Sequence, residues 1–410
     1  MKKLLINIKE LVGTHEENVL LRGESLSKLP SLKNAFLLVE NDEILSFGEM
    51  KNIPEISCET IDVTGKIVLP SWCDSHTHIV FAGSRENEFV YKLKGLSYAE
   101  IAAKGGGILN SSKKLNDTSE EDLFNSALQR LKNLQKLGTG AIEIKSGYGL
   151  SLKGELKMLR VIKKLREETG MIIKSSLLAA HTFPEQYKEN QEEYVTLIIK
   201  EIIPAAAEEK LADYIDVFCE KGFFSPKQTE QICIAAADYG LRPKLHVNQL
   251  NSIGGIETGI KNNALSLDHL ETLNADEIKK LGLFSGVCTL LPTPAFYLRM
   301  QYQPARELIN AGAAIAIASD FNPGSSPSGN MNFVASLSAI QMKMLPEEVI
   351  NAGTINGAFA MEVQNLAGSI SKGKKANIII TKKIESITSL MYYFGDNLID
   401  KVMLNGKFIL

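Results

Sequence analysis

The sequence predicts an α/β fold, a (β/α)8 TIM barrel carrying a small β-sheet domain composed of the N- and C-terminal segments. Three observations predict it. Eight short apolar strands alternate with helical stretches between about residues 66 and 361, and the two flanks (1–65 and 362–410) read as short β segments with polar turns. Five of the six histidines fall where barrel strands would end. An open doubly wound sheet also gives continuous apolar strands, but no GxGxxG opens a first helix here.

Taken in order, KLLINI, NAFLLVE and EILSFG supply the N-terminal β segments. The barrel strands follow as IVLPSWCDSHTHIVF from Ile67, TGAIEIKSGYG from Thr139, MIIKSSLLAAH from Met171 and YIDVFCEK from Tyr214. The second half continues with LRPKLHVNQ from Leu241, ALSLDHLE from Ala264, SGVCTLLP from Ser285 and AAIAIASDFNPG from Ala313. Between them lie amphipathic stretches such as Glu121 to Leu137, where Leu123, Ala127, Leu131 and Leu134 share one face at three- and four-residue spacing. After Met361, ANIIITKK and LIDKVMLNGKFIL return to the β pattern, with Asn405-Gly406 as a two-residue hairpin signal. Short β segments at both ends are best stabilised by pairing into one sheet, which brings the ends together beside the barrel.

Composition narrows the function. The 45 basic and 48 acidic residues nearly balance, so nothing marks a nucleic-acid partner. No apolar stretch reaches the roughly 18 to 20 residues that cross a bilayer. The N-terminal MKKLLINIKELVG starts like a signal peptide, but charge interrupts its short apolar run and no cleavage site follows. The five cysteines, Cys58, Cys73, Cys219, Cys233 and Cys288, lack CxxC spacing and read as ordinary thiols in a reducing compartment. A cytoplasmic chain acting on a small molecule is therefore expected, and a homodimer with it, because such barrels commonly dimerise.

The histidines carry the chemistry. His76 and His78 form an HxH pair after the first barrel strand, where residues i and i+2 point to the same side. His181 ends the third strand, His246 the fifth, His269 the sixth, and Asp320 closes the eighth. Strand ends crowd around one mouth of a barrel, so these groups should meet there. Two histidines from the first strand, one from the fifth and an aspartate from the eighth form an N3O set suited to one divalent metal, Zn2+ or iron (Fe2+/Fe3+), with a position open for water. Water on such an ion deprotonates near neutral pH, and hydrolysis follows as the default chemistry.

At this point longer segments can be weighed. DSHTHIVFAGSRENEF, the GGGI at Gly105 to Ile108, EIKSGYGL, the AAHT around His181, KLHVNQL, LDHL and SDFNPGSSP together resemble the imidazolonepropionase family of the amidohydrolase superfamily. The resemblance implies metal ligation by His76, His78, His246 and Asp320. It implies substrate contacts from Arg85, Tyr148, His181, Gln249, Asn322, Gly324 and Ser325, with Tyr98 a further pocket residue. The implied reaction is the hydrolytic opening of 4-imidazolone-5-propanoate to N-formimidoyl-L-glutamate, a step of histidine degradation.

The residue types make sense of that reaction. Arg85 offers a planar fork for the propanoate carboxylate, and the glycines beside Tyr148 permit a turn that projects its ring into the mouth. His181 either donates to the developing oxyanion or moves a proton. Asp320 takes the proton of the nucleophile and returns it to the departing nitrogen, with His269 sharing that shuttle or orienting the water. The loop from Asn322 to Pro327 is expected to present free N–H groups to the tail carboxylate. The family pattern after the fifth-strand histidine is acidic, whereas this chain has Asn248-Gln249, and an amide cannot act as a base. Glu220 or Lys221, after the fourth strand, would bridge a second metal if there were one; a single metal is expected, with Glu220 in a hydrogen-bonding role. Alternatives within the fold are another cyclic amidohydrolase or a deaminase of a small nitrogen heterocycle. A catalytically silent binding protein is the rival from another class.

Overall fold

The computed structural model describes residues 1–96, 100 and 106–409. Tyr98 and Gly105 lie outside the described residues. Five N-terminal strands come first: β1 (Lys2–Val12), β2 (Ser31–Glu40), β3 (Glu43–Glu49), β4 (Glu59–Asp62) and β5 (Lys66–Pro70). Eight further strands follow: β6 (Trp72–Asp74), β7 (Thr139–Lys145), β8 (Ile172–Ala180), β9 (Tyr214–Cys219), β10 (Arg242–Val247), β11 (Ser266–His269), β12 (Val287–Leu290) and β13 (Ile315–Ile317). Each of these eight pairs in parallel with its sequence neighbour, in the unbroken order β6 to β13.

The ring closes just beyond the strands. Asp320 N donates to His76 O at 3.0 Å and His78 N to Phe321 O at 2.9 Å. This stitch joins the first strand to the eighth and makes the sheet a barrel. Helices pack outside it; Glu120–Lys136 starts at a Ser119 cap and buries Leu123, Phe124, Ala127, Leu131 and Leu134, the face that the spacing predicts with Phe124 added.

The chain ends form a second sheet with β14 (Ile378–Lys383), β15 (Ile399–Leu404) and β16 (Lys407–Phe408). Its order is β16-β15-β14-β5-β1-β2-β3, with β4 on β1, and it buries Leu5, Ile8, Leu37, Val68, Ile378 and Ile380 on one face. Asn405 and Gly406 both take positive φ, 48° and 69°, the pair that a tight two-residue hairpin requires.

One strand departs from the sequence expectation. Residues 67–81 read as a single barrel strand, yet 66–70 pair with β1 and β14 in the outer sheet, and only Trp72 onward enters the barrel. The change of partner takes one residue: Ser71 N donates to Asn377 O, and Trp72 N to Gly138 O. Pro70 has no N–H to continue the first ladder, which helps end it there.

Candidate metal centre and active site

The stitch between the first and eighth strands sets the site. Asp74 accepts from Ser319 N at 2.9 Å and Ser319 Oγ at 2.6 Å, so Asp320 is fixed beside the HxH pair. Asp320 itself sits at φ 49°, and His269 and Leu270 at 85° and 64°, left-handed conformations that are uncommon for residues other than glycine.

His76 Nε2 and His78 Nε2 lie 3.3 Å apart, and Asp320 Oδ1 is 3.6 and 3.4 Å from them. Two donors each about 2.1 Å from one ion at a tetrahedral angle are about 3.4 Å apart, so the triangle has the edges of a metal site. The His246 ring stands with its centroid 4.4 Å from that of His76, and His269 5.1 Å from His246. Two overlapping sets, His76-His78-Asp320 and His76-His246-His269, each bring their donor atoms within 4.8 Å of one another. The residues fit a divalent ion.

The far nitrogens of three rings are anchored, while His78 Nδ1 is buried without a partner among the described residues. His76 Nδ1 meets Asp268 Oδ2 at 2.7 Å, His246 Nδ1 meets Asp216 Oδ1 at 3.0 Å, and His269 Nδ1 meets Glu271 Oε1 at 3.1 Å. At His76 and His246 the carboxylate at Nδ1 fixes the tautomer and turns Nε2 inward as a lone pair, whereas Glu271 raises His269 above the ordinary histidine range in spite of its burial. Burial, reinforced for His76 by Lys145 and the neighbouring imidazoles, keeps His76 and His246 below the ordinary histidine range and so neutral, as ligation requires.

His181 is anchored differently. Its Nδ1 lies 3.0 Å from Gly147 O, which can only accept, so Nδ1 carries the hydrogen. Burial also pushes this imidazole well below its usual range. The neutral ring therefore offers an acceptor at Nε2, opposite to the oxyanion donor role weighed from sequence. Gly147, at φ 108°, permits this contact, because a Cβ there would stand 2.8 Å from His181 Nδ1.

Above the cluster opens a cavity of about 400 Å³ lined by His78, His181, His246, His269 and Asp320 at one end. Tyr148, Gln249, Asn322, Gly324, Ser325 and Arg85 line it as well. His76 is buried beneath. Burial raises the Tyr148 phenol above its usual range, so it remains a hydroxyl donor and acceptor. Arg85 gives its Nε to Ser111 Oγ at 2.9 Å, with Glu88 Oε1 3.8 Å from the same nitrogen, and among the described residues its end nitrogens have no hydrogen-bond partner.

The last loop corrects one expectation. Gly324 N and Ser325 N both donate to Asn322 Oδ1 at 2.8 Å, while Asn322 Nδ2 bonds Asp320 O and Ser325 Oγ. These N–H groups are engaged inside the loop and are not free for a carboxylate, and Asn322 shapes the loop instead of presenting polar atoms. Gly324 matters for another reason: a Cβ would lie 2.6 Å from Arg85 Nη1. Gly324→Ala is expected to displace the guanidinium and raise KM by about tenfold, the equivalent of about 1.4 kcal/mol, with a smaller change in kcat. Steady-state kinetics check this, and an unchanged KM refutes the packing argument.

Glu220 accepts from Leu250 N, Asn251 N and Asn251 Nδ2 at 2.9, 3.2 and 3.0 Å, bracing the loop that carries Gln249. Neither it nor Lys221 lines the cavity. Asn248 is likewise engaged, with Thr272 O and Glu277. The sequence reading did not single out Asp216, Asp268 or Glu271, nor Glu155, which accepts from Gly147 N and Leu150 N beneath Tyr148. The only signal for the first two is an acidic residue inside an apolar strand, two before Phe218 and one before His269.

The sequence profile of the amidohydrolase family matches residues 67–409, and the imidazolonepropionase of Christiangramia forsetii is 56% identical over 411 residues, covering 100% of both chains. The chain belongs to the imidazolonepropionases of the amidohydrolase family. As an amidohydrolase it is a hydrolase. The family fold extends further: Escherichia coli guanine deaminase superposes with a TM-score of 0.76 at 13% identity, over 100% of this chain and 99% of that one. Atrazine chlorohydrolase from Arthrobacter aurescens TC1, complexed with zinc, gives 0.71 at 13%, over 99% and 94%. Among the described residues, no helix is long and apolar enough to cross a membrane.

Proposed function

We propose that the chain hydrolyses the ring amide of 4-imidazolone-5-propanoate to N-formimidoyl-L-glutamate, using one divalent ion, Zn2+ or iron, held by His76, His78, His246 and Asp320. One observation carries this reading: two overlapping donor sets, His76-His78-Asp320 and His76-His246-His269, stand against a 400 Å³ cavity that the Arg85 guanidinium also lines.

An ion held by these residues would supply Lewis acidity toward the ring carbonyl and a water acidified to near neutrality. The chain's own groups do the rest. Arg85 grips the tail carboxylate through its end nitrogens. Tyr148 and Gln249 hydrogen-bond the ring, and His181 Nε2 accepts from a ring N–H. Asp320 takes the proton of the attacking water. As the water oxygen bonds to the carbonyl carbon and the C–N bond breaks, Asp320 passes that proton to the departing nitrogen, with His269 orienting the water. Gln249 has no part in proton transfer. Ser325 lines the same cavity.

Loss of substrate absorbance, followed before and after chelation with element analysis of the same sample, tests this. Turnover should vanish with the metal and return with Zn2+ or Fe2+. No turnover at one metal per chain would overturn the substrate assignment. The reading also takes the chain as a cytoplasmic homodimer; the five unpaired thiols support the first, and sizing in solution tests the second.

A further inference from the structure

Beneath the metal cluster lies a layer of charge that no ligand role explains. Lys145 stands on β7, a strand that contributes no donor to the cluster, and it is fully buried. Its Nζ lies 2.6 Å from Glu143 Oε1, 2.8 Å from Asp216 Oδ2 and 3.7 Å from Asp268 Oδ2. A second buried lysine, Lys244, reaches Glu143 Oε2 at 3.0 Å, Ser266 Oγ at 2.9 Å and Ala360 O at 2.7 Å. Two ammonium groups thus face three carboxylates across the barrel interior.

Stability alone is a poor reason for such a layer, because replacing buried ion pairs with well-packed apolar groups is often neutral or stabilising. The position of Lys145 suggests another. Asp216 is the anchor of His246 Nδ1, and Asp268 is the anchor of His76 Nδ1. These histidines come from strands β10 and β6, on different sides of the mouth. Among the described residues, Lys145 is the cation whose ion pairs join both anchors. Lys244 pairs with neither directly.

We propose that Lys145 is a positioning residue for the metal centre: its ammonium group pins Asp216 and Asp268 beneath His246 and His76, and so sets the direction and tautomer of both imidazoles at once. The inference rests on the metal reading above. One buried cation then couples two ligands that share no strand, and its loss loosens both. Groups that orient ligands in this way are typically worth about 10- to 100-fold in metal affinity.

The test compares the metal-free wild type, K145M and K244M, titrated with Zn2+ against a chromophoric chelator and with Co2+ by visible absorption. K145M should bind Zn2+ about 10- to 100-fold more weakly, with altered Co2+ bands, while K244M stays within about threefold of wild type. If K145M does not fold, the pair E143Q/K145M, which leaves the layer's net charge unchanged, should show the same loss. Wild-type-like Zn2+ affinity and Co2+ bands in the folded Lys145 variant would overturn the proposal, and so would an equal loss in K244M. A wild-type protein that takes up neither ion would overturn the metal reading itself.

Discussion

Replacing Asp320 with asparagine is expected to lower kcat by about 10²- to 10⁴-fold, the range for loss of a positioned acid–base group. The substitution is close to isosteric. An amide keeps an oxygen where Oδ1 now faces His76 and His78, and asparagine accepts the φ of 49° as readily as aspartate does. What it removes is the ability to hold a proton between attack and nitrogen departure. KM should change little, since the tail carboxylate is held by Arg85 and not by Asp320. Element analysis separates the two parts that Asp320 plays: kcat that recovers fully in excess metal would make it a ligand only, and would sink its role in proton transfer.

Arg85 carries the second large effect. Removing two charge-assisted hydrogen bonds to a carboxylate costs about 3 kcal/mol, so Arg85→Ala should reduce kcat/KM by roughly 150-fold. Arg85→Lys should recover only part of this, because an ammonium cannot reproduce the planar fork. An analogue lacking the carboxylate should be turned over equally by wild type and variant. Unchanged activity of Arg85→Ala on the full substrate would remove the reason for choosing an acid-bearing ring over a neutral one.

The barrel is legible because its strands are apolar, short and regularly spaced, and the cluster is legible because His76, His78, His181, His246, His269 and Asp320 stand at or just past strand ends. Topology then does the gathering. Other features depend on contacts between distant segments, which a single sequence does not display. Around Ser71 the only local signal of a change of sheet is Pro70, and the sequence does not say which strand takes over the pairing after it. The tautomer of His181 is set by a carbonyl 34 residues away. Asn322 reads as a ligand contact, and only the folded loop shows its amide closing on its own neighbours. Asp216 and Asp268 look like strand polar residues until the ring closes and turns them toward the imidazoles.

The place of β5 has a consequence for synthesis. It lies between β1 and β14, so its second neighbour leaves the ribosome roughly 300 residues later, about 15 to 60 s at 5 to 20 residues per second. During that interval the nascent amino-terminal sheet carries an open apolar edge, the kind that recruits foreign strands. The long sequence separation also slows closure, because distant pairings carry the loop entropy of everything between them. Chains cut short before residue 378 would keep that edge for good. The last strands of the protein thus act as a seal on its first, and they make translation to the end a condition for staying out of aggregates.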